Sequence, residues 1–185
     1  WRRLPRAAVM PNDTIHLRPA VPADIPLVLE LIAGLAEYER LAHEAVATAA
    51  DLEAALFGPR PAAEVVIAEC DGQPAGFALF FVSFSTFLGK PGLYLEDLYV
   101  LPALRGRGIG RRLMVHLARL ALERGYGRFE WSVLDWNTPA IDFYRSLGAR
   151  PMEGWTVQRV SGDALRTLAA NGDAGSAHAP ATPPG

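Results

Sequence analysis

Leu98 to Met114, LYVLPALRGRGIGRRLM, is the stretch that most narrows the possible folds. It leaves an apolar strand-like run, passes through Gly106, Gly108 and Gly110, and enters a helix-period pattern that carries Leu113, Leu117 and Leu120 on one stripe. A strand followed directly by an amphipathic helix must pack that helix back onto the sheet. Glycines lack Cβ, so N–H groups of the turn and the first helical turn can face inward, where the helix dipole favours an anion. Arg105, Arg107, Arg111 and Arg112 surround the turn with positive charge. A phosphate or pyrophosphate is the natural occupant. The spacing matches neither G-x-x-x-x-G-K-[ST] nor G-x-G-x-x-G. What remains is R-x-x-G-x-G from Arg105 to Gly110, with a flexible turn and solvated arginines as the plain alternative.

The chain has 185 residues, enough for one domain with a real core. Eighteen Lys and Arg against 20 Asp and Glu give a formal charge of −2, which argues against general nucleic-acid binding. No apolar run approaches the ~18 residues of a membrane span. The single cysteine, Cys70, cannot form an internal disulfide and fits a reducing cytoplasm. Residues 1–13 read as leader or disordered sequence, 14–170 as one folded domain, and 171–185, small, polar and Pro-rich, as a disordered tail.

Within that domain Thr14 to Ala20 alternates like a strand, and a helix pattern follows from Ile25 to Leu35. Thr48 and Asp51 approximate a capping box for a second helix, ended by Gly58-Pro59. EVVIAEC and AGFALFFVSF read as two strands joined by DGQP, and GLYLEDLYVL as a third, with acids in its middle. After a helix from Gly110 to Glu123, RFEWSVLDW is a strand, TPAIDFYRSLG a short helix, WTVQRV a last strand and GDALRTLA a last helical turn or two. The order predicts an α/β (α+β) domain, a mixed twisted sheet flanked by helices.

YLEDLYVLPALRGRGIGRRLM resembles the acetyl-CoA site of the GNAT acetyltransferase superfamily, and LAEYE, FSTFLGKPGLYLEDLYV, DWNTPAIDFYRSLGA and EGW resemble its diamine acetyltransferase branch. The resemblance covers roughly residues 14–170 in order. It implies a GNAT fold, acetyl-CoA as co-substrate, a small-molecule amine as acceptor, no metal and a homodimer. It also implies that Leu98, Tyr99 and Val100 bind the acetyl carbonyl and CoA arm through their backbone, beside a strand bulge. Residues 105–111 (Arg105, Gly106, Arg107, Gly108, Ile109, Gly110 and Arg111) would hold the pyrophosphate. Because no glycine marks a bulge, an unbroken strand is the local alternative.

Amine acetylation needs a proton acceptor for the ammonium, a polarised thioester carbonyl and an acid for the departing thiolate. Glu96 suits the first role, or is an ordinary strand carboxylate; alternation admits only one of Glu96 and Asp97 to a cleft, and the resemblance points to Glu96. The resemblance assigns the last role to Tyr144, with packing beside Phe143 as the plain alternative. Asn137, Pro139 and Ala140 open that helix, as a cap alone or as a cap that also touches CoA. Tyr38, Glu39, Glu96 and Glu153 match amine-binding positions, whereas Glu37 reads as solvated surface. His43 and His116 lie in no matching motif. Ser85-Thr86-Phe87 replaces the acidic DPW of the polyamine enzymes, which favours a shorter diamine or an amino acid with a side-chain amine. No Cys or Ser-His-Asp set is placed for a covalent step, so direct attack in a ternary complex is expected. Acetylation of protein amines, or an inactive acyl-CoA-binding module, are the rival readings.

Overall fold

Local chemistry starts and stops the first elements. The computed structural model describes residues 14–171; the readings for residues 1–13 and for the tail from residue 172 lie outside them. Strand β1 (Ile15–Pro19) leads through a 3₁₀ turn (Pro22–Asp24) into helix α1 (Ile25–Glu39). Arg18 fixes that junction: its guanidinium donates to Asp24 at 2.7 and 2.9 Å and to Glu69 at 2.7 Å. Helix α1 stops where Arg40 turns left-handed at φ 63°. Helix α2 (Ala49–Phe57) opens on the expected box, with Thr48 Oγ1 accepting from the Asp51 N–H at 3.2 Å and Asp51 accepting from the Thr48 N–H at 2.9 Å.

Strands β2 (Glu64–Cys70), β3 (Gln73–Ser85) and β4 (Lys90–Val100) continue the sheet as an antiparallel meander. Asp71 and Gly72, both at positive φ, make the tight turn between β2 and β3. Helix α3 (Ile109–Glu123) then carries the chain to β5 (Phe129–Trp131), which pairs parallel to β4 and ends the order β1-β2-β3-β4-β5. The sheet is thus mixed, as predicted.

Alternation divides its side chains between two helical layers. Val65, Ile67, Phe77 and Tyr99 pack with Ile25, Val28 and Leu31 of α1 and Leu52 and Leu56 of α2. The intervening Val66, Ala68 and Ala78 face the other way, and α3, which contacts β2, β3 and β4, buries Ile109, Leu113, Met114, Leu117 and Ala121. A buried Leu or Ile is worth ~1.5–3 kcal/mol, so the α3 stripe holds the glycine turn at a fixed place on the sheet. On the opposite face, a Cβ on Gly34 of α1 would come within 2.8 Å of the Tyr99 hydroxyl oxygen. Glycine there leaves room for the end of the Tyr99 side chain.

By internal contacts the chain divides into two compact units, one up to Leu134 and one from Asp135. The second holds α4 (Thr138–Ser146), followed by Gly148 at φ 90°, and α5 (Gly162–Asn171). Two expectations need correction. WTVQRV, 155–160, forms no strand: every residue from 151 to 170 is exposed, and an alternating pattern without a neighbouring strand has nothing to pair with. RFEWSVLDW is a strand only over Phe129–Trp131, because its partner changes course just past Leu95.

Candidate active site

That change of course is a β-bulge at Glu96. Leu79 of β3 pairs with Asp97 and Phe80 with Leu95, so the ladder skips Glu96. On the other side, parallel pairing with β5 covers Leu93, Tyr94 and Leu95 and goes no further. Beyond the bulge β4 therefore has a strand neighbour on one side only. The Leu101 N–H donates to the Ala75 carbonyl on the β3 side. Backbone direction alternates along a strand, so Leu98 and Val100 turn their N–H groups to the open side. Two preorganised donors facing a gap in a sheet are suited to a carbonyl that gains negative charge. The unbroken-strand alternative is excluded.

The glycine turn stands at the end of the same strand. Gly106 and Gly108 sit at φ 80° and 82°, and no atom lies within 4 Å of a Cβ built on either. Gly108 is the N-cap of α3 and supplies no capping side chain, so the first N–H groups of a fifteen-residue helix open onto an uncrowded cradle. Gly110 lies inside the helix, and the Ile109 side chain is buried in the core. Arg107 and Arg111 are exposed around the turn, while Arg112 reaches back to the Ile15 carbonyl at 3.4 Å. Arg105 is held otherwise: its Nε donates to the Val100 carbonyl at 3.0 Å and its guanidinium lies 4.5 Å from the Tyr38 ring centroid.

Carboxylates collect on the α1 side of the bulge. Glu96 is exposed, but Asp97 is half-buried and titrates at about 6, pushed up by burial, by Glu96 and by Glu39. Burial also raises Glu39. Tyr38 and Glu39 are the last two residues of α1, both half-buried, whereas Glu37 is exposed. The sequence offered one carboxylate to the cleft; the bulge breaks the alternation and brings Asp97 into electrostatic contact with Glu39. Asp97 had no signal in the sequence beyond its position next to Glu96.

In the second unit Asn137 is buried and caps α4, its side-chain oxygen accepting from the Ala140 N–H at 3.3 Å, with Pro139 in the first turn. Tyr144 is half-buried on α4, its ring 5.3 Å from that of Phe143. Glu153 is exposed. Among the described residues no cluster of three or more His, Cys, Asp or Glu is arranged to hold a metal ion.

An open notch in a parallel pair, followed by a glycine cradle at a helix start, is a strong basis for comparison with known proteins. The sequence model of the acetyltransferase (GNAT) family matches residues 32–149. The chain belongs to the GNAT acetyltransferase family. It is 38% identical over 167 residues to the thialysine N-epsilon-acetyltransferase of Sus scrofa, covering 84% of this chain and 98% of that protein. It is 32% identical to an L-ornithine N5-acetyltransferase of Arabidopsis thaliana, covering 83% and 87%. Among solved structures, an integron cassette protein from V. cholerae superposes with a TM-score of 0.71 at 27% identity, over 84% of this chain and 97% of that one.

For a GNAT acetyltransferase the arrangement has a plain chemical sense. The family uses acetyl-CoA as co-substrate, and the space around Gly106 and Gly108 is open. The first unit brings together Tyr38, Glu39, Glu96, Asp97, Leu98, Tyr99, Val100 and the 105–111 turn. Asn137, Pro139, Ala140, Tyr144 and Glu153 belong to the second.

Proposed function

We propose that this acetyltransferase moves the acetyl group of acetyl-CoA onto the primary amine of a small cationic substrate (a diamine, a polyamine or an amino acid with a side-chain amine) by direct attack in a ternary complex. One observation carries the reading: the β4 bulge brings three carboxylates, Glu39, Glu96 and Asp97, to the strand whose Leu98 and Val100 N–H groups face an open notch. Acids collect an ammonium ion, and the donors await an oxyanion.

The steps follow. The ammonium is bound among Tyr38, Glu39, Glu96 and Asp97, with Glu153 as a further acidic contact. An alkyl ammonium titrates near 10.4, so it must give up a proton before attack. Glu96 accepts that proton, directly or through water. The nitrogen lone pair attacks the thioester carbon, and the oxygen takes the charge under the Leu98 and Val100 N–H groups. As the carbonyl re-forms, the C–S bond breaks and the Tyr144 phenol gives its proton to the sulfur, while the nitrogen releases its second proton through water to the phenolate, leaving the neutral amide and the phenol restored. Residues 106–111 hold the pyrophosphate, and Asn137, Pro139 and Ala140 shape the helix start beside the CoA arm.

The relatives named for thialysine and ornithine favour an amino acid with a side-chain amine. Ser85 supports the same choice. It is buried and accepts the Leu88 N–H at 3.3 Å, so it serves the β3–β4 turn and adds no charge for a longer polyamine. Thiol release from acetyl-CoA, measured across putrescine, spermidine, ornithine, lysine, thialysine and a lysine peptide, tests the proposal. Ornithine or thialysine should lead. Activity on the peptide alone would assign the protein to protein-amine acetylation, and acetyl-CoA binding without release would make it a regulatory module.

We further propose a homodimer in the cytoplasm. Trp155 and Val157 are 76% and 79% exposed in a stretch that pairs with no strand among the described residues, apolar surface of the kind a second copy covers. The lone cysteine is suited to a reducing compartment. Light scattering should return twice the mass of one chain, falling to one on Trp155→Ser with Val157→Asp; a parent at the mass of one chain would refute the dimer.

A further inference from the structure

The first arginine of the turn is not oriented as a phosphate ligand. Its guanidinium centre lies 4.5 Å from the Tyr38 ring centroid and 5.5 Å from that of Tyr99, while its Nε donates to the Val100 carbonyl. Among the described residues Arg105 has no carboxylate partner. Its three contacts belong to the two elements that must cooperate: Tyr38 stands one residue before Glu39 at the end of α1, and Val100 ends the strand with the open N–H groups.

We propose that Arg105 is a positioning residue that joins the amine pocket to the acyl-donor strand, by holding Tyr38 and Val100 on one guanidinium. The inference rests on the amine-acetylation reading above. Helix α1 ends immediately, since Arg40 is left-handed, so no further helical turn steadies Tyr38 and Glu39. A planar cation between two rings fixes the Tyr38 ring, and the ring fixes the adjoining backbone. The same guanidinium cannot give its Nε hydrogen to Val100 without holding the notch at its present distance from α1. The carboxylates tell the same story from the other side. Burial raises both acids beside the bulge, Asp97 and Glu39, and Glu96 and Glu39 raise Asp97 further, with no relief from Arg105. Its positive charge is directed at the rings, and the acids are left for the substrate cation.

The motif reading and this one diverge in a measurable way. If Arg105 positions, Arg105→Gln should raise the Michaelis constant for the amine about tenfold and change acetyl-CoA affinity by less than about threefold. Arg111→Gln should do the reverse, weakening acetyl-CoA while sparing the amine. Tyr38→Leu should mimic Arg105→Gln, and the double variant should be no worse than the poorer single one, the sign of two residues acting as a unit. Arg105→Lys should restore little, because an ammonium lacks the planar fork. Calorimetry with acetyl-CoA and steady-state kinetics on one amine measure all of this. Loss of acetyl-CoA affinity in Arg105→Gln with an unchanged amine Michaelis constant would overturn the proposal, and so would additive effects of the two substitutions. If the parent acetylates no amine, the functional reading fails separately; the Arg105–Tyr38 coupling is then read from thermal unfolding of the same four proteins, where additivity again overturns it.

Discussion

Asp97 is the residue whose environment makes the firmest demand. It titrates at about 6 in the folded protein, against about 3.9 in an unfolded chain. Between those values the folded state keeps a proton that the unfolded state has released, so stability falls as pH rises through the window. The two pKa values set a loss on the order of 3 kcal/mol at neutral pH. Asp97→Asn keeps the shape without the charge. It should raise the melting temperature at pH 7.5 by several degrees and leave it unchanged at pH 3.5. Equal melting at both pH values would mean that Asp97 is not held in this environment. An amine substrate should stabilise the parent more than the variant, since its cation relieves the same repulsion. Tyr144 makes a different demand. Tyr144→Phe removes one hydroxyl and keeps the ring, so turnover should drop by ~10²-fold or more with acetyl-CoA affinity nearly intact. Full turnover, with chemistry rate-limiting, would give the proton transfer to another group.

Helix α3 and its turn act as one element. Gly108 is left-handed and has open space around it, so Gly108→Asp should cost only the ~1–2 kcal/mol of a side chain in that conformation while putting a carboxylate in the anion cradle. Acetyl-CoA affinity, measured by calorimetry, should vanish from a folded protein; unchanged affinity would remove the turn from the cofactor site. This element was legible in the sequence because glycines at a strand-to-helix junction and a leucine stripe are local signals. The Thr48–Asp51 box and the Asp71-Gly72 turn were legible for the same reason. The bulge was not. Glu96 carries no special residue, and its extrusion is decided by how β3 and β5 align with β4. The placement of Arg105 was not legible either, since glycine spacing describes backbone freedom and says nothing of where a long side chain lies. WTVQRV failed in the opposite sense: alternation prepares a segment for a sheet, but a strand exists only beside another.

The molecule as a whole rests on unequal strand pairings. Strands β2 to β4 form an antiparallel meander, β1 joins its β2 edge from across helices α1 and α2, and β5 adds three parallel pairs at the other edge. The β2–β4 meander is built from neighbouring segments and forms without long loop closures, so it should be the last part to open. Its fourth strand nonetheless has a gap on one side. In an ordinary sheet interior, amide hydrogens along a strand trade slowly with heavy water. Here the hydrogens of Asp97, Tyr99 and Leu101 face β3, and those of Leu98 and Val100 face the notch. Deuterium should therefore enter β4 as a dotted line, every second amide filling quickly in a strand whose neighbours stay protonated. Residue-resolved exchange by NMR should see that alternation fade when acetyl-CoA is added, while slow and uniform exchange in the free protein would close the notch. The interrupted pairing gives the protein a built-in occupancy gauge where β4 and β5 part.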